Sequence, residues 1–536
     1  MDEQFQTAES LGAQKYPRNS SRILQYGTAG FREKSSELPH VMFRMGLLAV
    51  LRSKVKNGST VGLMITASHN PEEDNGVKLC DPDSKMLEKD WETLATKLIN
   101  TNNESLKEVL KSILDSNKIN FDLPANVYLA KDTRSSSEFL LQAAIDGVTS
   151  LNGEFKNFGL LTTPQLHFVV YCKNFGTYGT PTAEGYYEKL SNAFETLRSN
   201  SIESKTKYTA NMYVDGANGI GALKFKELQN YIKSLNVEIF NDGTTGKLNF
   251  NCGADFVKVE QKAPEGSEIL VNERYASFDG DADRLVYFYK DGSSSFHLLD
   301  GDKIATLVAK FLKDLVDLVS LKLEIRVVQT AYANGSSTQY IENKLKIPVV
   351  CVPTGVKHLH HEAMKYDIGI YFEANGHGTV VFSKEAKQNI KALVSSENVS
   401  QEQKMAAKKF LSVIDLINET VGDAISDLLL VEVILHDFDW SVEDWDKMYT
   451  DLPNRQLKVK VPDRNAIETT DAERRCVKPE GLQKAIESVV SSYNNARSFI
   501  RPSGTEDVVR VYAEAETQEQ ADKLAHSVKE LVEKFT

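Results

Sequence analysis

Short apolar runs bounded by turn formers alternate with stretches of helical spacing along most of the chain. The run at 61–65 is continuously apolar, the pattern of a strand buried on both faces, and helical spacing at 41–55 precedes it. Helical spacing from 87 to 114 predicts one further helix. A strand at 126–130, a helix from about Ser137 and a strand ending near 160–164 follow. Strand then helix, repeated, predicts an α/β layer with crossover connections. The Gly- and Thr-rich segment 176–185 reads as a linker.

The rhythm restarts with a strand at 213–216, the loop 217–221 and a helix, then strands at 275–278 and 285–289. It restarts again after Asp300 with a helix and strands at 325–329, 348–352 and 368–372. Helical spacing over 402–435 predicts a bridge to a last domain. That domain carries a strand at 456–461, a helix from about Gly481, two strands flanking 501–506 and a terminal helix from Gln518. The expected fold class is α/β: three related α/β domains with mixed sheets (1–183, 184–298, 299–440) and a C-terminal α+β domain (441–536).

Composition narrows the function. A chain of 536 residues, 41% hydrophobic and 26% charged, is globular and several domains long, with disorder expected only at the ends and in linkers. Its 63 basic and 75 acidic residues leave a net charge of −12, which argues against a nucleic-acid partner, so an anionic ligand needs locally placed cations. Cys80, Cys172, Cys252, Cys351 and Cys476 are scattered and read as free thiols of a reducing compartment. The polar N-terminus lacks a signal-peptide core, and no uncharged apolar run reaches the roughly 18 residues of a membrane span; the run at 428–435 is broken by Glu432. A cytoplasmic protein is expected, monomeric, with no nucleic-acid or membrane partner.

The sequence TASHNP at 66–71 follows the buried run, so Ser68 stands just past a strand's C-terminal end, where open α/β sheets bind ligands. Small residues let backbone approach a charged group, and Pro71 fixes the exit. Ser68 is a candidate phosphate carrier; a serine capping a strand-to-helix turn is the competing reading. Asp279, Asp281 and Asp283 alternate with Gly280 and Ala282. Three clustered carboxylates repel one another unless a hard cation takes their oxygens, and Mg²⁺ coupled to a phosphate is the usual form. An acidic turn between strands is the alternative, and Arg284 is placed to contact phosphate or balance the aspartates.

Arg501, Ser503, Gly504, Thr505 and Arg510 together offer guanidinium forks, hydroxyls and open backbone amides, a cradle for a phosphate that does not react. A plain hairpin with a surface arginine is the alternative. The stretches 353–361 and 373–378 place Glu, Asn and His at strand ends, where they pair with sugar hydroxyls. His358, His360 and His361 lack a cysteine or carboxylate at zinc spacing and read as exposed loop histidines.

These motifs, with YGTAGFR at 26–32, occur in the order of the α-D-phosphohexomutase superfamily, which the chain resembles over nearly its whole length. The wording of 66–71, 251–258, 330–338 and 353–363 is similar to its phosphoacetylglucosamine mutase family. The resemblance implies four domains around a central cleft, the last like the TATA-binding protein. It implies a phosphoserine at Ser68, Mg²⁺ on that phosphate and the three aspartates, phosphate binding by Arg501, Ser503, Gly504, Thr505 and Arg510, and sugar recognition by Thr354, Gly355, Glu373 and Asn375. Asp507, where many relatives carry proline, departs from the pattern and is expected to alter loop stiffness only. The implied activity interconverts N-acetylglucosamine 6- and 1-phosphates through a sugar 1,6-bisphosphate, feeding UDP-N-acetylglucosamine synthesis. His69, Arg32 and Lys131 are unranked candidates for the acid/base. A glucose or mannose phosphate mutase, or a non-catalytic sugar-phosphate sensor, are the rival readings.

Overall fold

The apolar run becomes the strand Thr60–Ile65, buried along its whole length because helices cover both faces of its sheet. The computed structural model describes residues 1–199, 205–503 and 507–536. The chain divides into two compact units, Met1–Leu298 with Ser412–Val442, and Leu299–Leu411 with Glu443–Thr536.

The first unit holds two mixed five-stranded sheets. One runs Phe31–Lys34, Asp74–Cys80, Thr60–Ile65, Asn126–Lys131, Glu154–Leu160. Its last three strands are parallel, and Asp74–Cys80 lies antiparallel to both of its neighbours. The helices Pro39–Val55 and Ser137–Ser150 cover one side. They touch backbone to backbone: a Cβ on Gly46 would stand 2.2 Å from the Ala144 carbonyl, and one on Gly147 2.0 Å from that of Phe43. The other sheet runs Phe296–Leu299, Leu285–Lys290, Tyr275–Phe278, Asn211–Asp215, Asn236–Phe240, the last three parallel and Leu285–Lys290 antiparallel to Tyr275–Phe278.

The second unit has a four-stranded sheet, Val349–Val352, Ile325–Thr330, Ile368–Phe372, Gly378–Phe382, parallel except for the last strand. It also has the antiparallel sheet Asn454–Lys460, Val508–Glu514, Arg497–Pro502. The helices Leu482–Val490 and Gln518–Phe535 pack on its apolar face through Ile486, Leu524 and Val528, against Val459, Ile500, Val509 and Val511. The α/β class with a terminal α+β module is therefore what the chain adopts. The three α/β sheets share one pattern. Three parallel strands are followed by an antiparallel one, and the loop into that fourth strand is 66–73, 279–284 or 373–377.

Several expectations are corrected. The helix expected at 87–114 is two, Lys89–Asn100 and Leu106–Ser116, because Thr101 and Asn102 are extended. The buried Arg44 guanidinium holds that break, donating to the carbonyls of Leu98 (3.2 Å), Ile99 (2.9 Å) and Thr101 (2.6 Å). The helical stretch at 402–435 is likewise two helices, Gln401–Leu416 and Ala424–Phe438. Asp423 starts the second by accepting from the Ile425 and Ser426 amides. Glu432, the charge inside that apolar helix, is fully buried and paired with Arg274 (2.7 Å) and the Tyr208 hydroxyl (2.8 Å), so it is satisfied rather than exposed. The polar N-terminus forms the helix Asp2–Lys15, anchored by Phe5, Ala8 and Gly12. The strand Asp74–Cys80 opens on Asp-Asn-Gly, which reads locally as a turn and becomes a strand by pairing on both edges. Among the described residues no helix is long and apolar enough to cross a membrane.

Candidate functional site

The strand Thr60–Ile65 delivers Ser68 into a loop held by buried groups. Ser68 is almost fully buried and has a left-handed backbone, φ +51°, which a non-glycine residue adopts only when its surroundings hold it there. Its amide donates to Thr66 Oγ1 (3.0 Å), and that hydroxyl donates to Asp132 (2.8 Å). Its carbonyl accepts from Arg134 Nη2 (2.9 Å) and Asn249 Nδ2 (2.8 Å). Arg134 also donates to the carbonyls of Asn70 (2.9 Å) and Asp74 (2.9 Å), while its Nε pairs with Asp132 (3.0 Å). With both side chains of that pair fully out of solvent, the loop is braced by an internal ion pair.

The Ser68 hydroxyl donates to Asp279 Oδ2 at 2.6 Å. Asp279 opens the tight turn between Tyr275–Phe278 and Leu285–Lys290, and its Oδ1 accepts from the amides of Asp283 (3.0 Å) and Arg284 (3.1 Å). Ala282 takes a left-handed φ of +58°, and Gly280 leaves no room for a side chain: a Cβ there would stand 2.4 Å from the Ser68 carbonyl. Asp279, Asp281 and Asp283 are all buried and can each offer one oxygen within 4.8 Å of the others, the one such cluster among the described residues. Asp281 Oδ2 accepts from Thr163 Oγ1 (2.6 Å) and Lys78 Nζ (3.0 Å), and Lys78 also reaches Asp283 (3.3 Å). Burial and the charges of Asp283 and Asp281 push the Asp279 carboxyl far above its usual range. Burial and Asp283 also push on Asp281, yet Lys78 and the Thr163 hydroxyl hold it below that range.

Arg284 pairs with Asp255 (3.1 Å) and lies 3.9 Å from Asp283 and 4.0 Å from Asp279. Arg32 donates to Asn70 Oδ1 (3.2 Å), on the loop that carries the serine. Burial, then the neighbouring Arg284, lowers its pKa. His69 is pushed down to about 2 by burial and by Arg284 and Arg32, so its ring is neutral, and its buried Nδ1 makes no hydrogen bond. These residues stand with Ser68 and the aspartates. Lys131 ends the strand Asn126–Lys131 and pairs instead with Glu138 (3.2 Å).

The sugar and phosphate candidates lie in the second unit. The Thr354 amide (2.9 Å) and hydroxyl (2.5 Å) both donate to Glu473 Oε2. Gly355 has φ +130° and precedes the helix Val356–Ala363. Glu373 and Asn375 share the loop 373–377, with Asn375 Nδ2 3.3 Å from Glu373 and Asn375 Oδ1 accepting from the His377 amide. The Arg501 Nε donates to Glu473 Oε1 (2.9 Å), and Arg501 stands directly across the ladder from the exposed Arg510. Ser503 is buried, its amide bonded to Val508 O (2.8 Å); Gly504 and Thr505 lie outside the described residues. The Asp507 carboxylate accepts from the Arg464 amide (3.3 Å). His358, His360 and His361 are helical rather than in a loop, and His360 meets the Tyr371 hydroxyl (3.0 Å).

Sequence reasoning missed Lys78, Thr163, Arg134, Asn249 and Glu473. Lys78 was findable, since alternation over 74–80 aims alternate side chains to one face once that stretch is read as a strand. Thr163 follows a capping-box threonine, Thr162, a signal of a helix start but not of its partner.

Comparison with known proteins identifies the family of the chain. The family model described as phosphoacetylglucosamine mutase AMG1, domain III, matches residues 300–440, and the one for domain II matches 177–286. Phosphoglucomutase/phosphomannomutase models match 457–531 (C-terminal domain) and 38–106 with 101–178 (alpha/beta/alpha domain I). The chain is 58% identical over 508 residues to phosphoacetylglucosamine mutase of Homo sapiens, covering 94% of this chain and 93% of that one. A crystal structure of Aspergillus fumigatus N-acetylphosphoglucosamine mutase in complex with GlcNAc-6P and magnesium is similar at TM-score 0.94 and 47% identity, over 99% of each chain. A serine-to-alanine variant of the A. fumigatus enzyme, in complex with glucose 1,6-bisphosphate, is similar at TM-score 0.93 and 47% identity, again over 99% of each. Identity of this order over almost the full length of both chains means that this chain belongs to the phosphoacetylglucosamine mutase family.

Proposed function

We propose that this protein is an isomerase that interconverts N-acetylglucosamine 6-phosphate and N-acetylglucosamine 1-phosphate through a phosphoserine at Ser68 and a sugar 1,6-bisphosphate. The observation that carries the reading is the buried Ser68 hydroxyl, 2.6 Å from the first carboxylate of a three-aspartate cluster. In the forward direction the bond between Ser68 Oγ and phosphorus breaks as a bond forms from the sugar's free hydroxyl to phosphorus. The bisphosphate then presents its other phosphate, whose phosphoryl group returns to Ser68 as the bond to the sugar oxygen breaks. The proton lost by the attacking hydroxyl needs an acceptor with a lone pair. His69 is neutral, and Lys131 has one when deprotonated; Arg32 keeps its proton and serves phosphoryl charge instead.

The three aspartates fit Mg²⁺. They are hard oxygen donors, buried together, and Asp281 Oδ1 has no hydrogen-bond partner although it is out of solvent. Asp279, Asp281, Asp283 and the phosphate on Ser68 would hold the ion, which neutralises phosphoryl charge. Lys78 and Arg284 supply further positive charge around it. Removing divalent ions with EDTA is expected to stop turnover and added Mg²⁺ to restore it; undiminished turnover in the chelator would remove the metal from the mechanism.

We assign the non-reacting phosphate to Arg501, Ser503, Gly504, Thr505 and Arg510, and the sugar to Thr354, Gly355, Glu373 and Asn375. We set domain limits at 183/184, 298/299 and 440/441, which leave one α/β sheet to each of the first three segments apart from the final residue of Phe296–Leu299, and the three-stranded and two-stranded sheets to the last. All five cysteines are free thiols, in keeping with the cytoplasm, and one chain carries both the serine and the metal ligands, so a monomer suffices. Among sugar phosphates, kcat/KM is expected to be highest for the N-acetylglucosamine phosphates. A higher value for a glucose or mannose phosphate would favour the wider superfamily's activity. Mass spectrometry of active protein should find phosphate on Ser68, and its absence from protein that turns over would overturn the phosphoserine mechanism.

A further inference from the structure

The outer face of the C-terminal sheet carries Lys458, Arg510 and Arg501 in one row, Lys458 opposite Arg510 and Arg510 opposite Arg501. Directly opposed residues of antiparallel strands share a face, and like charges there repel. Among the described residues, the ion pair made by this row is that between Arg501 and Glu473. Glu473 comes from the tip of the hairpin Glu468–Thr470/Arg475–Lys478. Asp471, Ala472 and Glu473 hold three successive left-handed backbones, with φ of +53°, +52° and +69°. None is glycine, so each carries strain, and strained residues persist where surrounding contacts fix them.

Arg474 holds Asp471 within the tip (2.5 Å), and the contacts that reach beyond the tip lie on the Glu473 carboxylate. One oxygen takes Arg501 Nε (2.9 Å), and the other takes the Thr354 amide (2.9 Å) and hydroxyl (2.5 Å). A guanidinium bound at Nε has its plane and direction fixed. Its Nη1 and Nη2 edge then presents as a preformed fork, the geometry that grips two phosphate oxygens. Thr354 adjoins Gly355 at the start of the helix Val356–Ala363, so the same carboxylate ties the arginine to that loop.

We propose that Glu473 is a positioning residue for the non-reacting phosphate, aiming the Arg501 fork and locking it to the Thr354 loop so that phosphate and sugar are held in one fixed relation. The inference rests on the reading of Arg501 as the phosphate dock. A carboxylate in this place has a second possible role, as an internal anion that the phosphate must displace, and the two predict opposite changes in KM.

The test measures KM and kcat for N-acetylglucosamine 6-phosphate on the full chain and on Glu473→Gln, Thr354→Val, their double variant and Arg501→Gln. Each charge-assisted hydrogen bond lost predicts a rise in KM of about tenfold to a hundredfold for Glu473→Gln. Its kcat stays within about threefold, since the reacting end is untouched. Thr354→Val also raises KM, through its own place at the sugar as well as through the lost hydroxyl bond to Glu473, and the double variant falls short of the product of the two single effects because part of each cuts the same link. An unchanged KM in Glu473→Gln, or additive effects in the double variant, overturns the proposal. A lowered KM replaces it with the displaced-anion role. A raised KM in Arg501→Gln beside an unchanged one in Glu473→Gln removes only the role of Glu473. An unchanged KM in Arg501→Gln removes the dock and this inference with it. Melting temperatures identify any variant that fails to fold, and Thr354→Val probes the link from its other end.

Discussion

Replacing Ser68 by alanine removes mutase turnover, by at least about 10⁴-fold, while leaving the fold and sugar-phosphate binding in place. The hydroxyl is the only part of the side chain that bonds to phosphorus, and the nearby Thr66 Oγ1 does not replace it, being committed to Asp132 and to the Ser68 amide. The backbone cost is unchanged, since serine already bears the left-handed φ that alanine would inherit. What the folded chain loses is one hydrogen bond to Asp279, about 0.5–1.5 kcal/mol. The measurement is turnover with the bisphosphate supplied, beside calorimetric binding of the sugar phosphate and a thermal melt. Full turnover in this variant overturns the phosphoserine mechanism.

The second large effect is on stability. Arg134→Met keeps side-chain bulk but strands Asp132, fully buried, with no cation. It also leaves the carbonyls of Ser68, Asn70, Pro71 and Asp74 short of a donor. Breaking one side of a buried pair costs about 3–5 kcal/mol. In a chain of several domains the loss does not appear as one global transition, so amide exchange across 66–74 is the apt readout, together with kcat. Protection there falls and kcat falls with it, because Ser68 is no longer held against Asp279. Adding Asp132→Asn recovers part of the protection by removing the stranded charge. Unchanged exchange and kcat in Arg134→Met would show that Asn249 and Thr66 hold the loop without it.

Both effects hinge on groups of unequal legibility. Ser68 was readable because its signal is local: a buried strand, then small residues, then proline. The aspartates were readable for the same reason, since three carboxylates at alternate positions in one turn form a pattern without any partner. The four α/β and α+β modules followed from the strand-and-helix rhythm. Arg134 was visible only as a polar strand end, because its role lies in contacts with carbonyls 60 or more residues earlier in the chain. Lys78 was hidden by the turn-like Asp-Asn-Gly that begins its strand, and Glu473 by a hairpin tip that looks solvated. The helix break at Thr101 was equally silent, since Arg44, which holds it, lies 57 positions away. Local propensity records a residue's neighbours in sequence, whereas these roles come from neighbours in space.

The loops 66–73, 279–284 and 373–377 each leave the third of three parallel strands and enter its antiparallel neighbour. The ladders on either side are buried as a frame, and on the proposed reading a handful of loop residues carry the chemistry. A scaffold divided in this way is evolvable. On the reading proposed above, one hairpin position serves as a phosphoryl carrier, a second as a cation cage and a third as a polyol reader, each within five to eight residues between two strands. Substrate preference in such a chain can drift quickly at little expense in stability, while the strands beneath it stay still.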